Sequence, residues 1–207
     1  MDKALIIFTR NPELGKCKTR LAKSVGDQEA LNIYKHLLQH TSNVAKMVDA
    51  NRYVFYSEDI QQNDLWDNAY FSKALQEGNN LGERMGNAFK MLFEKKYKKI
   101  IIVGSDLLDL NAELIRDAFN KLEENQAVIG PAEDGGYYLL GMTRLIEKVF
   151  KNKEWGTDTV YNDTVSDLML DNLSILETLN DIDYLEDLAP YADFNYLFNL
   201  ESRIKQE

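Results

Sequence analysis

The sequence predicts a three-layer α/β/α fold in which helices cover both faces of a mostly parallel sheet. Short apolar runs alternate with segments of helical periodicity, as in strands joined by crossover helices. No internal repeat or low-complexity stretch interrupts this alternation, which excludes solenoid folds. The 207 residues correspond to roughly one domain. We therefore expect a single domain over residues 1–207.

In the first half of the chain, each element is predicted by its own pattern. Residues 4–8 form a continuous apolar run followed by turn residues, which indicates a buried strand. Asp27 is expected to cap a long helix, because apolar residues recur at helical spacing after it. Residues 52–57 predict a second strand, and residues 81–93 predict a helix with one apolar face.

The second half of the chain continues the alternation. Residues 100–103 give the clearest strand, and Asn111 is expected to cap a helix that ends at Leu122. The other predicted elements are strands over residues 127–129, 137–140 and 173–176 and a helix over residues 194–204.

Composition narrows the class of protein. The chain has 34 acidic and 24 basic residues and a net charge of −10, which disfavours general nucleic-acid binding. Its one cysteine, Cys17, excludes an intrachain disulfide and favours a reducing compartment. The first apolar run has only five residues, too few for a membrane span or a signal peptide. We expect a cytoplasmic protein with no membrane span and no nucleic-acid partner.

A basic segment follows the first predicted strand, at the sheet edge where such folds bind ligands. Residues 10–23 hold five basic residues and one acidic residue. Arginine pairs with phosphate bidentately, lysine supplies a compact charge, and Gly15 lets backbone N–H groups approach. A P-loop is excluded, because Cys17 stands where that motif requires glycine. The segment thus indicates either a phosphate site or a solvated basic helix start.

Acidic residues follow two other strands. Asp106 comes after strand 100–103, where a carboxylate can bridge Mg²⁺ to a diphosphate; capping of the next turn is the alternative. Asp181 and Asp183 share one face if their segment is extended, and could then supply a second metal ligand opposite Asp106. The alternative for Asp183 is helix capping.

Residues 130–138, Gly-Pro-Ala-Glu-Asp-Gly-Gly-Tyr-Tyr, form a glycine-rich acidic segment between two predicted strands. A hairpin turn explains Asp134 and its following glycine but not the whole run. An acidic loop with Glu133 and Asp134 beside the aromatic Tyr137 would suit a metal or sugar hydroxyls.

Two shorter segments are weaker candidates. Gly82 and Arg84 stand at a predicted helix start, where an anion or a base could be contacted. Trp155 offers an aromatic platform and Thr157 a hydroxyl; a plain helix cap at Thr157 is the alternative.

Taken in order, these segments resemble a known family along essentially the whole chain. The matching segments are residues 8–21 (FTRNPELGKCKTRL), 81–85 (LGERM), 103–106 (VGSD), 130–138 (GPAEDGGYY) and 155–157 (WGT). They resemble the bacterial DUF2064 group, also called radical-SAM/selenodomain-associated transferase 1. These are small glycosyltransferase-like proteins of GT-A type.

The resemblance implies a Rossmann-like GT-A (nucleotide-diphospho-sugar transferase) fold and a role for each matching residue. Phosphate contacts would come from Arg10, Lys18 and Arg20. Gly82 and Arg84 are expected at the nucleotide because of their place at a helix start, and not from the resemblance. The ligands of Mg²⁺ or Mn²⁺ would be Asp106 and Asp183, then Asp181. The acceptor side would be lined by Glu133, Asp134 and Tyr137. From the residues themselves we add Trp155 and Thr157 to that side. If the reaction inverts the sugar, Asp134 is the candidate general base and Glu133 its substitute.

The sequence departs from the family pattern at two places. Leu107 and Leu108 stand where Cys-Pro is usual, and Tyr184 replaces a threonine. Neither departure removes an implied ligand, but both bear on the donor and on activity.

Three functions are compatible with these residues. The first is a metal-dependent glycosyltransferase that uses a nucleotide-diphosphate sugar and a small-molecule acceptor. The second is a nucleotidyltransferase that joins an NTP to a phosphorylated small molecule and releases pyrophosphate. The third is a binding domain whose catalytic site has decayed. The donor separates the first two, since only the second requires a triphosphate.

Overall fold

The computed structural model describes residues 2–198, and its centre is one seven-stranded sheet. The strands are β1 (Lys3–Thr9), β2 (Asn51–Tyr56), β3 (Phe71–Leu75), β4 (Lys99–Val103), β5 (Ala127–Pro131), β6 (Tyr137–Met142) and β7 (Leu173–Ile175). Their order is β3-β2-β1-β4-β6-β5-β7. Only β6 runs antiparallel to its neighbours β4 and β5, so the prediction of a mostly parallel sheet is confirmed.

Helices lie on both faces of this sheet. They are α1 (Thr19–Val25), α2 (Asp27–Lys46), α3 (Leu81–Glu94), α4 (Ala112–Lys121) and α5 (Val160–Leu168). Side chains alternate along β1, so that Leu5 and Ile7 pack with α1, α2 and α4, whereas Ala4 and Ile6 pack with α3 and α5. The three-layer prediction is therefore confirmed.

Caps explain where two helices begin. Asn111 Oδ1 accepts a hydrogen bond from the Leu114 N–H at 2.9 Å, which confirms the predicted cap of α4. Asn80 caps α3 in the same way, accepting from the Glu83 N–H at 2.9 Å. Asp27 was expected to cap α2 but is instead its first residue, because Gly26 links α1 to α2 with a φ of 83°.

Two elements extend the sequence prediction. Strand β3 was not predicted, and it forms one edge of the sheet. Helix α1 was expected only as the alternative for the basic segment, a solvated helix start, and without bounds. The helix expected over residues 194–204 is seen at residues 195–198, after a 3-10 turn at Ala192–Phe194, and its remainder lies outside the described residues. Within residues 2–198 no helix has the length and apolar character needed to cross a membrane.

Candidate active site

A cleft of about 810 Å³ opens at the carboxyl ends of the parallel strands. From β1 the chain passes to β2 and β3 on one side of the sheet, and it then returns to β4 on the other side of β1. The strand order therefore reverses direction between the neighbouring strands β1 and β4. Ligands of open α/β sheets bind at such a reversal. Segments that follow β1, β2, β3, β4 and β5 all contribute lining residues.

The buried ammonium of Lys18 lies at the centre of the charged part of the cleft. Its Nζ donates to Asp106 Oδ2 at 2.8 Å and to Asp183 Oδ1 at 3.0 Å, and its side chain is only 5% exposed. Arg20 pairs with the other oxygen of Asp183 at 2.9 Å. The structure therefore joins the basic segment to two of the three predicted metal ligands, Asp106 and Asp183.

The backbone of Lys18 is itself unusual. Its φ of 48° and ψ of 46° lie in the left-handed region, which residues with a side chain adopt only at some energetic cost. This residue immediately precedes α1, and the conformation turns the lysine side chain inward while the helix proceeds along the surface. The ion pairs with Asp106 and Asp183 help to hold the residue there.

These contacts reinforce the charged state of both partners. Burial works against the charge of Lys18, but the nearby Asp106 and Asp183 outweigh it and raise the pKa of the ammonium above its ordinary value. Burial would likewise raise the pKa of Asp106. The charge and hydrogen bond of Lys18 and the Ser105 N–H, at 2.9 Å, outweigh burial and hold that pKa below its usual range.

The pKa of Asp181, in the same cleft, is shifted in the opposite direction from that of Asp106. Burial, followed by the charges of Asp134 and Asp183, raises the pKa of Asp181 to about 6. This carboxylate therefore lies where negative charge is in excess, on the side of the cleft that the acidic hairpin forms.

The carboxylates fit a divalent cation that a nucleotide would share. Asp106 and Asp183 converge on one point, and both are hard oxygen donors of the type Mg²⁺ and Mn²⁺ prefer. In the described part of the chain no group of three or more His, Cys, Asp or Glu side chains is arranged to hold a metal. Two carboxylates are nevertheless sufficient where substrate phosphates complete the coordination, which is the usual Mg²⁺ arrangement.

A buried hydroxyl joins the two loops that carry these charges. Tyr34 on α2 is 3% exposed, and its hydroxyl lies 3.0 Å from the Arg10 N–H, which donates to it. The same oxygen lies 3.3 Å from Thr9 Oγ1 and 3.5 Å from Ser105 Oγ. It therefore links the ends of β1 and β4. The sequence signals Tyr34 only as a core position of α2, so pattern alone does not reveal this role.

The acidic hairpin brings one of its two carboxylates into the cleft. Asp134 lines the cleft, and its Oδ1 accepts from the Gly136 N–H at 2.8 Å, which fixes the orientation of the carboxylate. Glu133 is exposed and does not line the cleft, so the structure does not bring it into the site. Gly135, at a φ of 86°, packs against the backbone of Asp158, where a Cβ would lie 2.3 Å from the carbonyl oxygen.

The aromatic side of the cleft contains the predicted acceptor residues. Tyr137, Trp155 and Thr157 all line it, and the Tyr137 hydroxyl donates to Met85 Sδ at 3.7 Å. Burial raises the pKa of Tyr137 well above its ordinary value, so the phenol stays neutral. These three residues therefore lie in one cleft, and their role toward an acceptor stays a prediction.

The predicted phosphate contacts separate into two groups. Arg10 and Arg84 line the cleft, and Arg84 Nε donates to the Gly78 carbonyl at 3.1 Å. Gly82 does not line the cleft: it is buried, and a Cβ on it would lie 2.6 Å from Trp155 Cζ2. The expectation of an anion contact at Gly82 is corrected, because close packing accounts for the glycine.

The two departures from the family pattern have structural roles. Leu107 is buried in the core beneath β4, and Leu108 packs against the same core cluster. Tyr184 lies against Arg20, with the guanidinium carbon 5.7 Å from the ring centroid. Both replacements leave Asp106 and Asp183 in contact with Lys18.

Comparison with known proteins agrees with this fold. Residues 39–157 match the family described as "Uncharacterized protein conserved in bacteria (DUF2064)". No curated protein sequence matches the chain. A crystal structure from Desulfovibrio desulfuricans G20, described as a "putative nucleotide-diphospho-sugar transferase", is 29% identical with a TM-score of 0.85. The match covers 99% of this chain and 97% of that one.

More distant structures share the fold alone. A cytidylyltransferase from Leptospira borgpetersenii is 13% identical with a TM-score of 0.60, covering 100% of this chain and 96% of that one. A 4-diphosphocytidyl-2C-methyl-D-erythritol synthase from Anaerococcus prevotii is 11% identical with a TM-score of 0.59, covering 94% and 96%. The chain therefore has the nucleotide-diphospho-sugar transferase fold.

Proposed function

The chain belongs to the DUF2064 family, and we propose that it is a metal-dependent glycosyltransferase that uses a nucleotide-diphosphate sugar and a small-molecule acceptor. One observation carries the proposal: a cluster of opposite charges, in which Lys18 bridges Asp106 and Asp183, lies at the reversal point of the sheet. That is where a nucleotide diphosphate would bind in this fold.

The charged residues of the cleft would bind the diphosphate of the donor and its metal ion. Arg10 and Arg20 would pair with the diphosphate, because guanidinium groups match phosphate oxygens bidentately. Asp106 and Asp183 would hold Mg²⁺ or Mn²⁺, which supplies Lewis-acid stabilisation of the departing diphosphate. Both carboxylates reach the same point from different loops, which supports this assignment.

Asp134 is the proposed general base. It lines the cleft on the acidic side and is oriented by the Gly136 N–H, whereas Glu133 is outside the cleft. A base must lie within hydrogen-bond reach of the acceptor hydroxyl whose proton it removes. The aromatic wall of Tyr137 and Trp155 would shield an acceptor from water, and Thr157 could hydrogen-bond its hydroxyls.

The test is a thermal-shift panel of UDP-, GDP-, CDP- and TDP-sugars and the four NTPs, with and without Mn²⁺. A ligand at 100 times its Kd adds about 2.7 kcal/mol, which is a rise of roughly 5 to 10 °C for a chain of this size. We expect a Mn²⁺-dependent rise with one nucleotide-sugar series, followed by sugar transfer in a turnover assay.

Two results would contradict the proposal. A rise with an NTP alone, and pyrophosphate release on turnover, would replace it with nucleotidyl transfer, the activity in the name of the Leptospira neighbour. A flat panel would favour a domain without transferase activity.

A further inference from the structure

Lys18 occupies the point on which both proposed metal ligands converge. We propose that Lys18 and a divalent cation exclude each other at this point, so that the cation enters only together with a nucleotide diphosphate. The inference rests on the proposed function, and it adds an order of binding that the function alone does not require.

The distances leave one position for both cations. Lys18 Nζ is 2.8 Å from Asp106 Oδ2 and 3.0 Å from Asp183 Oδ1, so the ammonium bridges the carboxylates as a metal ion would. Mg²⁺ binds oxygens at about 2.0–2.1 Å. A cation bound to the same two oxygens would therefore lie in the space that Nζ fills, against a like charge.

The charges in direct contact are already balanced. Lys18 and Arg20 supply two positive charges, and Asp106 and Asp183 supply two negative charges. A divalent cation that arrived alone would add two positive charges beside an ammonium that is 5% exposed. Uncompensated charge is unfavourable beside a side chain as buried as that of Lys18. A nucleotide diphosphate brings the compensating negative charge and offers Lys18 a new partner.

The backbone provides a reason why Lys18 can leave. Its left-handed conformation is not sustained by a side-chain cap of α1, and within the described residues the side chain is held by its two carboxylate partners. The segment around it lines the open cleft, with Arg10 exposed on the same side. Once the carboxylates bind a metal, the ammonium is therefore free to turn toward the phosphates.

The experiment measures Mn²⁺ binding by electron paramagnetic resonance of the free ion, with the full chain and no substrate turnover. Wild type should bind Mn²⁺ alone weakly and bind it about tenfold more tightly with whichever of UDP, GDP, CDP or TDP it accepts. The Lys18→Met variant, which keeps an unbranched side chain one atom shorter and removes its charge, should bind Mn²⁺ alone about tenfold more tightly than wild type.

Lys35→Met is the matched control, because it removes an exposed lysine of α2 that does not line the cleft. Its Mn²⁺ affinity should equal that of wild type. If wild type binds the nucleotide, equal Mn²⁺ affinity with and without it would overturn the exclusion, and this result needs no variant. Equal affinity of wild type and a folded Lys18→Met variant for Mn²⁺ alone would also overturn it.

The outcomes separate this inference from the proposed function. Tight Mn²⁺ binding by Lys18→Met, together with no nucleotide binding by either protein, would uphold the exclusion but contradict the transferase. No Mn²⁺ binding by any of the proteins, with or without nucleotide, would overturn the metal-dependent function and the exclusion with it.

Discussion

The indole of Trp155 fills the space that a side chain on Gly82 would need. A Cβ on Gly82 would lie 2.6 Å from Trp155 Cζ2 and 2.3 Å from the Phe150 carbonyl oxygen. The contact joins the first turn of α3 to the aromatic wall of the cleft. The glycine therefore acts through packing, and it sets where the proposed acceptor platform lies.

Gly82→Ala should destabilise the protein, because neither the carbonyl nor the indole can move away without disturbing the wall. We expect the free energy of unfolding to fall by about 1–3 kcal/mol, as for other overpacked sites. Urea denaturation measures it. Gly86→Ala, one turn later on α3, is the control. Its Cβ would lie 3.2 Å from the Phe150 ring, and alanine has a helix propensity about 1 kcal/mol more favourable than that of glycine. A loss at Gly86 as large as at Gly82 would contradict this explanation.

Tyr34→Phe should weaken nucleotide binding while the fold persists. The phenylalanine keeps the ring packing, but the Arg10 N–H loses its acceptor and the link from Thr9 to Ser105 is broken. We expect about a fivefold to tenfold loss of affinity in calorimetry and a loss of about 1 kcal/mol in unfolding free energy.

Tyr53→Phe is the matched control for Tyr34. Its hydroxyl makes a partly buried hydrogen bond, to the Tyr97 hydroxyl at 3.0 Å, but Tyr53 does not line the cleft. The control should lose a similar amount of stability and no nucleotide affinity. If both variants bound nucleotide equally well, the Tyr34 hydroxyl would have no positioning role.

Asp106→Asn should abolish the metal-dependent part of nucleotide affinity. The amide lacks the charge that pairs with Lys18 and that a divalent cation would require. We expect at least about a tenfold loss in the presence of Mn²⁺ and little change in its absence. Asp109→Asn is the comparison, because Asp109 bonds Tyr191 at 2.8 Å and does not line the cleft. Unchanged metal-dependent affinity in Asp106→Asn would contradict both transferase functions.

Stability should fall in alkaline solution because of buried tyrosines. Burial raises the pKa of Tyr56, and its hydrogen bond to Asp64, at 2.7 Å, raises it further; burial also raises the pKa of Tyr137 and Tyr138. Their contribution to the free energy of unfolding is fully present below about pH 10, the ordinary tyrosine pKa. It is lost as the pH rises further, because the unfolded chain then releases phenol protons that the folded chain retains.

The expected slope is about 1.4 kcal/mol per pH unit for each such tyrosine. Urea denaturation at a series of pH values above 10 measures it, with phenolate absorbance as a second signal. Tyr56→Phe should reduce this slope by about 1.4 kcal/mol per pH unit, which is the contribution of one proton. A slope equal to that of wild type would show that Tyr56 titrates normally in the folded chain.

The sequence predicted the central strands well because they are continuously apolar. Strand β4 is buried along four of its five residues, and its pattern is unambiguous. Strand β3 escaped prediction because it lies at the sheet edge and buries only Phe71. The extent of helix α1 was not predicted for a related reason, since Leu21 is its one buried residue. Elements with little buried surface leave a weak pattern.

For the site, the sequence identified charged residues but not their partners. The basic segment and Asp106 were found from their positions after strands. The contact of Lys18 with Asp183 joins residues 165 apart, and no local pattern encodes it. Gly82 was misassigned because a glycine at a helix start suits an anion and a packed indole equally well. Only the folded arrangement distinguishes the two.

That separation of 165 residues has a consequence for biosynthesis. At ribosomal rates of about 5–20 residues per second, Lys18 is made roughly 10 to 30 s before Asp183. The nascent chain therefore carries its basic segment without the second counter-charge for most of its synthesis. Lys18 can pair with Asp183 only after β7 has been made. A chain released before that point would lack this ion pair even if its first strands had paired.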